Sequence, residues 1–416
     1  MKWHWPDNSL LHNISHLRVA FSNIHTQNFN YTYRAAKQTT AQQLILNLKD
    51  GSALNGEICI LDNGHLRITT PDQRSLTLTQ WKIQPLSLEK LIAFKNGDYF
   101  EIRFTNICAL EAPHLGVFDS IIVNTKIPNL LESYCLVKGG WLPPGYGLLN
   151  AHAFCDRNFI GRISNYFENN KAKSKEVESW IDDLTNFNLT FDVIPYAMEA
   201  NKKRFPTKEE VIEQIEEARK KLNHAAPGVK ITEYPESLEN YAWRLLEGIR
   251  PNIQRRMEFL MKASQFIKST TTDEIILERW RAITKIADTL SIRGDIVHLL
   301  ALITVSEPQD SSLGKGVLKI SHPYPSEKAY NACFDISQLE LLLNIQKIDQ
   351  SRQWVIITKD VPFTKLAGII LQGIEHNGSS ENRLRLSMRT PADWIPGQNI
   401  NLARELQNLL ASQKTH

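Results

Sequence analysis

The sequence lacks the usual marks of disulfide, zinc, hydrolase-triad and membrane chemistry. Its five cysteines, Cys59, Cys108, Cys135, Cys155 and Cys333, are odd in number and form no CxxC pair. Neither a disulfide framework nor a cysteine-bound zinc site is supported. The twelve histidines are scattered, with no HExxH, no Ser-His-Asp arrangement and no GxxxxGK[ST] phosphate loop beside them. No run of about 18 apolar residues occurs, which excludes an ordinary membrane helix. The start, MKWHWPDNSLLHN, has no apolar core of a signal peptide. A cytoplasmic protein with no membrane partner is expected. Charge of one sign is scarce too: a net +3 permits nucleic-acid contact without arguing for it, because a phosphate-binding face needs clustered Lys and Arg.

What is present is the composition of a soluble globular protein, 42% hydrophobic and 22% charged over 416 residues. That length predicts two domains, or one enlarged by an insertion. From about 40 to 125 the stretch LILNLKDGSALNGEICILDNGHLRITTPDQRSLTL alternates apolar and polar residues, with Asp50-Gly51 and Asn63-Gly64 at turn positions. Residues 1–140 therefore read as an N-terminal β-rich domain, a small barrel of the Sm, SH3 or OB kind. KGGWLPPGYG, 138–147, reads as a linker or sharp turn.

After it the period changes. Thr207 and Glu210 have capping-box spacing ahead of VIEQIEEARKKL. A largely helical elaboration is expected over about 205–320, and a further helix over Glu327 to about Gln346. A β-type run at Trp354–Thr358, a helix, a strand at Arg383–Met388 and the amphipathic helix NLARELQNLLASQ close the chain. This alternation predicts an α/β layer with a mostly parallel sheet over 148–416. Ser312-Leu313-Gly314-Lys315-Gly316 has no obvious following helix and reads as a plain loop.

Two expected strands end on acids, AHAFC at Asp156 and WVIIT at Asp360. In a parallel sheet both would project beyond the carboxyl edge, where α/β folds bind ligands. Singly, each is a helix cap or turn residue, and the pair is what raises interest. Asp335 lies among Ala332, Cys333, Phe334, Ile336 and Leu339, and needs either a partner or the polar stripe shared with Gln338. Glu199, in IPYAMEANKKRFPT, sits on a short helical stretch and pairs with Lys202 or Lys203 on the bland reading.

The order strand–Asp-x-Asn, acid on a helix, Ala-x-x-Asp on a later helix, strand–Thr-x-Asp resembles the acidic quartet of PIN-domain nucleases. That resemblance implies a three-layer α/β/α fold whose carboxylates hold Mg2+ or Mn2+ and hydrolyse phosphodiester bonds, RNA before DNA. It makes Asp156, Glu199, Asp335 and Asp360 the catalytic and metal-binding acids, with Asn158 and Thr358 supporting them. Arg157 stands where the family carries a small residue or Thr, and the gap from Glu199 to Asp335 is far longer than in compact toxin members. By adjacency, Arg157 and Lys359 are candidate contacts to substrate phosphate. The clusters Lys202-Lys203-Arg204 and Arg255-Arg256 read more simply as solvated helix faces.

Two like charges near 4 Å repel by about 4 kcal/mol at an effective dielectric of 20. Four converging carboxylates must therefore take up protons or cations, and oxygen donors without His or Cys favour Mg2+ or Mn2+ over zinc. A toxin-like or phage-defence endonuclease is one expectation. The alternative is an inactive PIN-like scaffold that binds a protein or nucleic-acid partner through its N-terminal barrel. A phosphatase or response-regulator-like protein has less support. A protein partner or homo-oligomer stays open.

Overall fold

The computed structural model describes residues 53–372 and 400–411, apart from internal stretches at 62, 112–116, 128–132, 166, 169–170, 173–186, 200–203, 235 and 308–312. The turn expected at Asp50-Gly51, the strand expected at Arg383–Met388, and Lys202 and Lys203 lie outside these residues.

The first sheet contains β1 (Ala53–Asn55), β2 (Glu57–Ile60), β3 (Leu66–Thr69), β4 (Ser75–Ile83), β5 (Phe100–Ala109) and β6 (Phe118–Thr125), with helix α1 (Leu88–Asn96) between β4 and β5. Its order is β1-β6-β5-β4-β3-β2. The two ends of that order are consecutive in the chain, separated only by Gly56. β1 pairs in parallel with β6 and β2 antiparallel with β3. One bent strand thus joins both ends and the sheet closes on itself. Gly56 permits the bend: its N–H donates to Asn124 O at 3.2 Å, and a Cβ there would lie 2.9 Å from Thr69 O. Leu66, Ile68, Leu76, Leu78, Ile102, Phe104 and Val123 are fully buried inside, as alternation along each strand requires.

The second sheet is built from β7 (Tyr134–Val137), β8 (Gly140–Leu142), β9 (Ala151–Cys155), β12 (Thr190–Asp192), β13 (Lys230–Ile231) and β14 (Gln353–Thr358). A single turn, α2 (Pro144–Gly147), precedes β9, and α3 (Arg157–Asn165) follows it ahead of a two-residue hairpin, β10 (Phe167–Glu168) and β11 (Lys171–Ala172). The stretch 138–147, expected to be a linker or sharp turn, holds the turn of the β7–β8 hairpin at Lys138 and Gly139, then β8 and α2. It docks the two sheets together. Leu86 N–H donates to Trp141 O and the Trp141 indole to Ser87 O, both at 2.9 Å, and Phe94 packs on Trp141 with ring centroids 5.3 Å apart.

The order is β13-β12-β9-β14-β7-β8. β13, β12, β9 and β14 run parallel, while β7 and β8 are antiparallel additions. The chain is therefore a mixed α/β fold with two mixed sheets. From β9 it steps outward through β12 to β13, then returns to place β14 on the other side of β9. Strand order reverses between β9 and β14, and such a reversal opens a crevice beyond the carboxyl ends of the strands.

Helices connect these strands: α4 (Ile194–Glu199), α5 (Lys208–Ala225), α6 (Leu238–Ala263), α7 (Asp273–Thr289), α8 (Ile296–Ser306), α9 (Leu313–Leu318), α10 (Ser326–Ile348), α11 (Val361–Gln372) and α12 (Ile400–Ala411). The expected capping box forms at α5: Thr207 Oγ1 accepts from Glu210 N at 3.3 Å, and Glu210 Oε2 accepts from Thr207 N at 2.9 Å. The span 205–320 is not wholly an elaboration, since α5 is the crossover from β12 and β13 is a strand of the sheet. The expected loop at 313–316 is helical, forming most of α9. Arg256 is no surface cation: it is buried between Asp295, at 2.7 Å, and Glu340, and it donates to Ser337 Oγ at 3.3 Å.

Candidate functional site

Asp156 and Asp360 leave β9 and β14 on the two sides of the strand reversal. Cys155, just ahead of Asp156, pairs with Ile357, three residues ahead of Asp360. Each acid begins a helix by the same device. Asp156 Oδ1 accepts from Phe159 N at 2.6 Å, and Asp360 Oδ1 from Phe363 N at 2.8 Å. Both are N-caps, so the bland reading of each is realised and local sequence explains their positions. One oxygen of each carboxylate satisfies a helix N–H.

Thr358, fully buried at the end of β14, connects them. Its Oγ1 accepts from Asp360 N at 3.1 Å, and its hydroxyl bonds Asp156 and favours the ionised form of that acid. Asn158 is exposed on the first turn of α3 and Lys359 is exposed beside Asp360. Arg157 is held elsewhere: its guanidinium lies 4.3 Å from the centroid of the Tyr196 ring and bonds Gln214 on α5. Its backbone N–H, by contrast, donates to Glu199 Oε2 at 3.2 Å. The first residue of α3 thus ties the last residue of α4 to the end of β9.

Asp335 is brought in from α10. The Tyr330 hydroxyl, on the preceding turn, donates to Met198 O at 2.7 Å, which fixes α10 against the end of α4 beside Glu199. The four acids share one electrostatic environment. Burial pushes the Asp156 carboxyl up to about 7, and Glu199 and Asp360 push in the same direction. Burial raises Asp335 well above the ordinary carboxylate range; Glu199, Asp360 and Asp156 add to that, while Lys319 opposes it. A buried carboxyl surrounded by like charge holds its proton until a cation replaces it.

One cation is already present. Lys319 Nζ stands 3.6 Å from Asp360 Oδ2 and 4.0 Å from Asp335 Oδ2. Its position follows from the tight seating of α9. A Cβ on Gly314 would overlap Thr304 Oγ1 of α8, and one on Gly316 would meet Pro362 of α11 at 2.9 Å. Lys319 ends this short helix with φ of 51°, in the left-handed region. Among the described residues, no three His, Cys, Asp or Glu side chains are grouped closely enough to hold a metal ion.

No family model, curated protein or solved structure matches the chain. Sequence reading missed Lys319 because a lone lysine after a Gly-Lys-Gly stretch gives no periodic signal. It missed Tyr330 because an internal aromatic on a helix reads as core. No helix among the described residues is long and apolar enough to cross a membrane.

Proposed function

We propose that the chain is a PIN-like, Mg2+- or Mn2+-dependent endonuclease that hydrolyses phosphodiester bonds, in RNA in preference to DNA. The observation that carries this reading is the meeting of Asp156 and Asp360 at the strand reversal, joined through Thr358 and coupled electrostatically to Glu199 and Asp335. On the PIN resemblance Asp156, Glu199, Asp335 and Asp360 would share a divalent ion that acidifies the attacking water and offsets charge on the scissile phosphate, although no three of them are grouped closely enough to hold it in the arrangement described. Thr358 orients Asp156. Asn158 and Lys359 are exposed and would meet substrate, whereas the Arg157 guanidinium contacts Tyr196 and Gln214 and fixes α3 against α5.

A second reading is an inactive scaffold in which Lys319 permanently neutralises the acids. The Lys319 ion pairs favour it. Incubating the protein with single-stranded RNA and DNA, with Mn2+ or with chelator, separates the two. Cleavage that requires Mn2+ and is lost in Asp156→Asn supports the nuclease; no cleavage, or equal cleavage by both proteins, refutes it.

A further inference from the structure

We propose that Lys315, Lys319, Lys328 and Lys359 form a rim that grips the phosphate backbone of single-stranded RNA without reading its sequence. This rests on the phosphodiester-substrate reading above and adds how that substrate is held; its test needs no metal ion.

Contacts from three separate elements bring the four lysines together. Lys319 Nζ reaches Asp360 Oδ2 at 3.6 Å, and Lys359 immediately precedes that acid at the end of β14. Lys315 lies one turn earlier on α9, its carbonyl accepting from Lys319 N at 2.9 Å. Lys328, on the first turn of α10, donates to Ser321 Oγ at 3.5 Å, two residues beyond Lys319. All four are exposed. The seat of α9 is close, since a Cβ on Gly316 would meet Pro362 of α11 at 2.9 Å, so the rim is set by packing. Opposing charge is small: Glu327 is the one acid against three lysines over residues 313–330. Of the carboxylates beneath, burial raises Asp156 to about 7 and Asp335 well above the ordinary range, so near pH 6 both mostly hold their protons and cancel little of the lysine charge. Lysine is a flexible point charge that follows phosphates without a fixed geometry. The neighbouring rings, Tyr324 and Tyr330, are buried and offer bases no stacking platform, which makes the grip one of backbone charge.

The test is fluorescence anisotropy of a short labelled single-stranded RNA near pH 6, in chelator and over a series of salt concentrations. It compares the full chain with the triple variant Lys315→Gln, Lys328→Gln, Lys359→Gln, and with a control of equal charge change, Lys82→Gln, Lys95→Gln, Lys126→Gln, exposed residues of the N-terminal region. Lys319 is kept, so its ion pairs stay intact, and each protein is checked by circular dichroism. The rim variant should bind about tenfold or more weakly, and the slope of log affinity against log salt should fall by about 0.7 for each lysine lost. The control should stay near the parent. If the triple variant does not fold, the three single substitutions serve, each lowering the slope by about 0.7. Equal binding by parent and rim variant, or equal weakening in the control, overturns the rim. Binding of polyglutamate but not RNA by the parent overturns it in favour of a protein partner. Mn2+-dependent cleavage by the parent is the separate readout of the nuclease reading: cleavage beside any of these failures leaves that reading standing, and neither binding nor cleavage of RNA overturns both.

Discussion

Replacing Asp156 by Asn should stabilise the protein at pH 8 and leave it unchanged at pH 4. Asn keeps the oxygen that accepts from Phe159 N, so the α3 cap survives, and the substitution removes the charge together with the acceptor that meets the Thr358 hydroxyl. A carboxyl held at about 7 rather than 3.8 destabilises its ionised form in the folded state by a ceiling of about 4 kcal/mol. The sign follows from proton uptake. Near pH 4 the folded chain carries the proton and the unfolded chain still carries it about half the time, so little of the penalty has appeared. As pH rises towards 7 the unfolded chain releases it first, so the parent loses stability across that window. Above about pH 8 the full penalty is present. Relaxation around the charge should leave about 1–3 kcal/mol, or a few degrees in Tm. Thermal denaturation of both proteins from pH 4 to 8, without divalent ions, reads this directly. A difference that is absent at pH 8, or constant across the range, would refute the claim that Asp156 is held charged against burial and the neighbouring acids.

Other perturbations test the scaffold. Arg256→Met leaves Asp295 and Glu340 buried without their shared cation and should destabilise by about 3–5 kcal/mol in chemical denaturation, whereas Arg255→Ala, on the exposed face, should fall within about 0.5 kcal/mol of the parent. Gly314→Ala forces a methyl against Thr304 Oγ1 and Leu300 O and should cost about 1–3 kcal/mol, measured by thermal shift.

Local pattern made much of the fold legible. The period-two region, the capping box at Thr207 and the strand at Trp354–Thr358 all depend on residues close together in sequence. Barrel closure is different, because it depends on Gly56 approaching Thr69 and Asn124, and a single glycine gives no warning of such a contact. The α9 loop reading failed for a similar reason: Gly314 and Gly316 weaken helix propensity, and tertiary packing against Thr304 and Pro362 overrides it. The two strand-end acids were legible because their caps are local. Arg157 was read from adjacency alone, and its contacts with Tyr196 and Gln214 come from two helices further along the chain. Lys319 required three helices to be in place before its position had meaning.

The most direct measurement is the rate of Mn2+-dependent cleavage of single-stranded RNA by the parent and by Asp156→Asn, Glu199→Gln, Asp335→Asn and Asp360→Asn. One shared carboxylate site predicts cleavage by the parent and losses of about 100-fold or more for each variant, since each acid would bear on the same reacting phosphate. Parent-like rates in any two of the variants, or no cleavage by the parent, would contradict it.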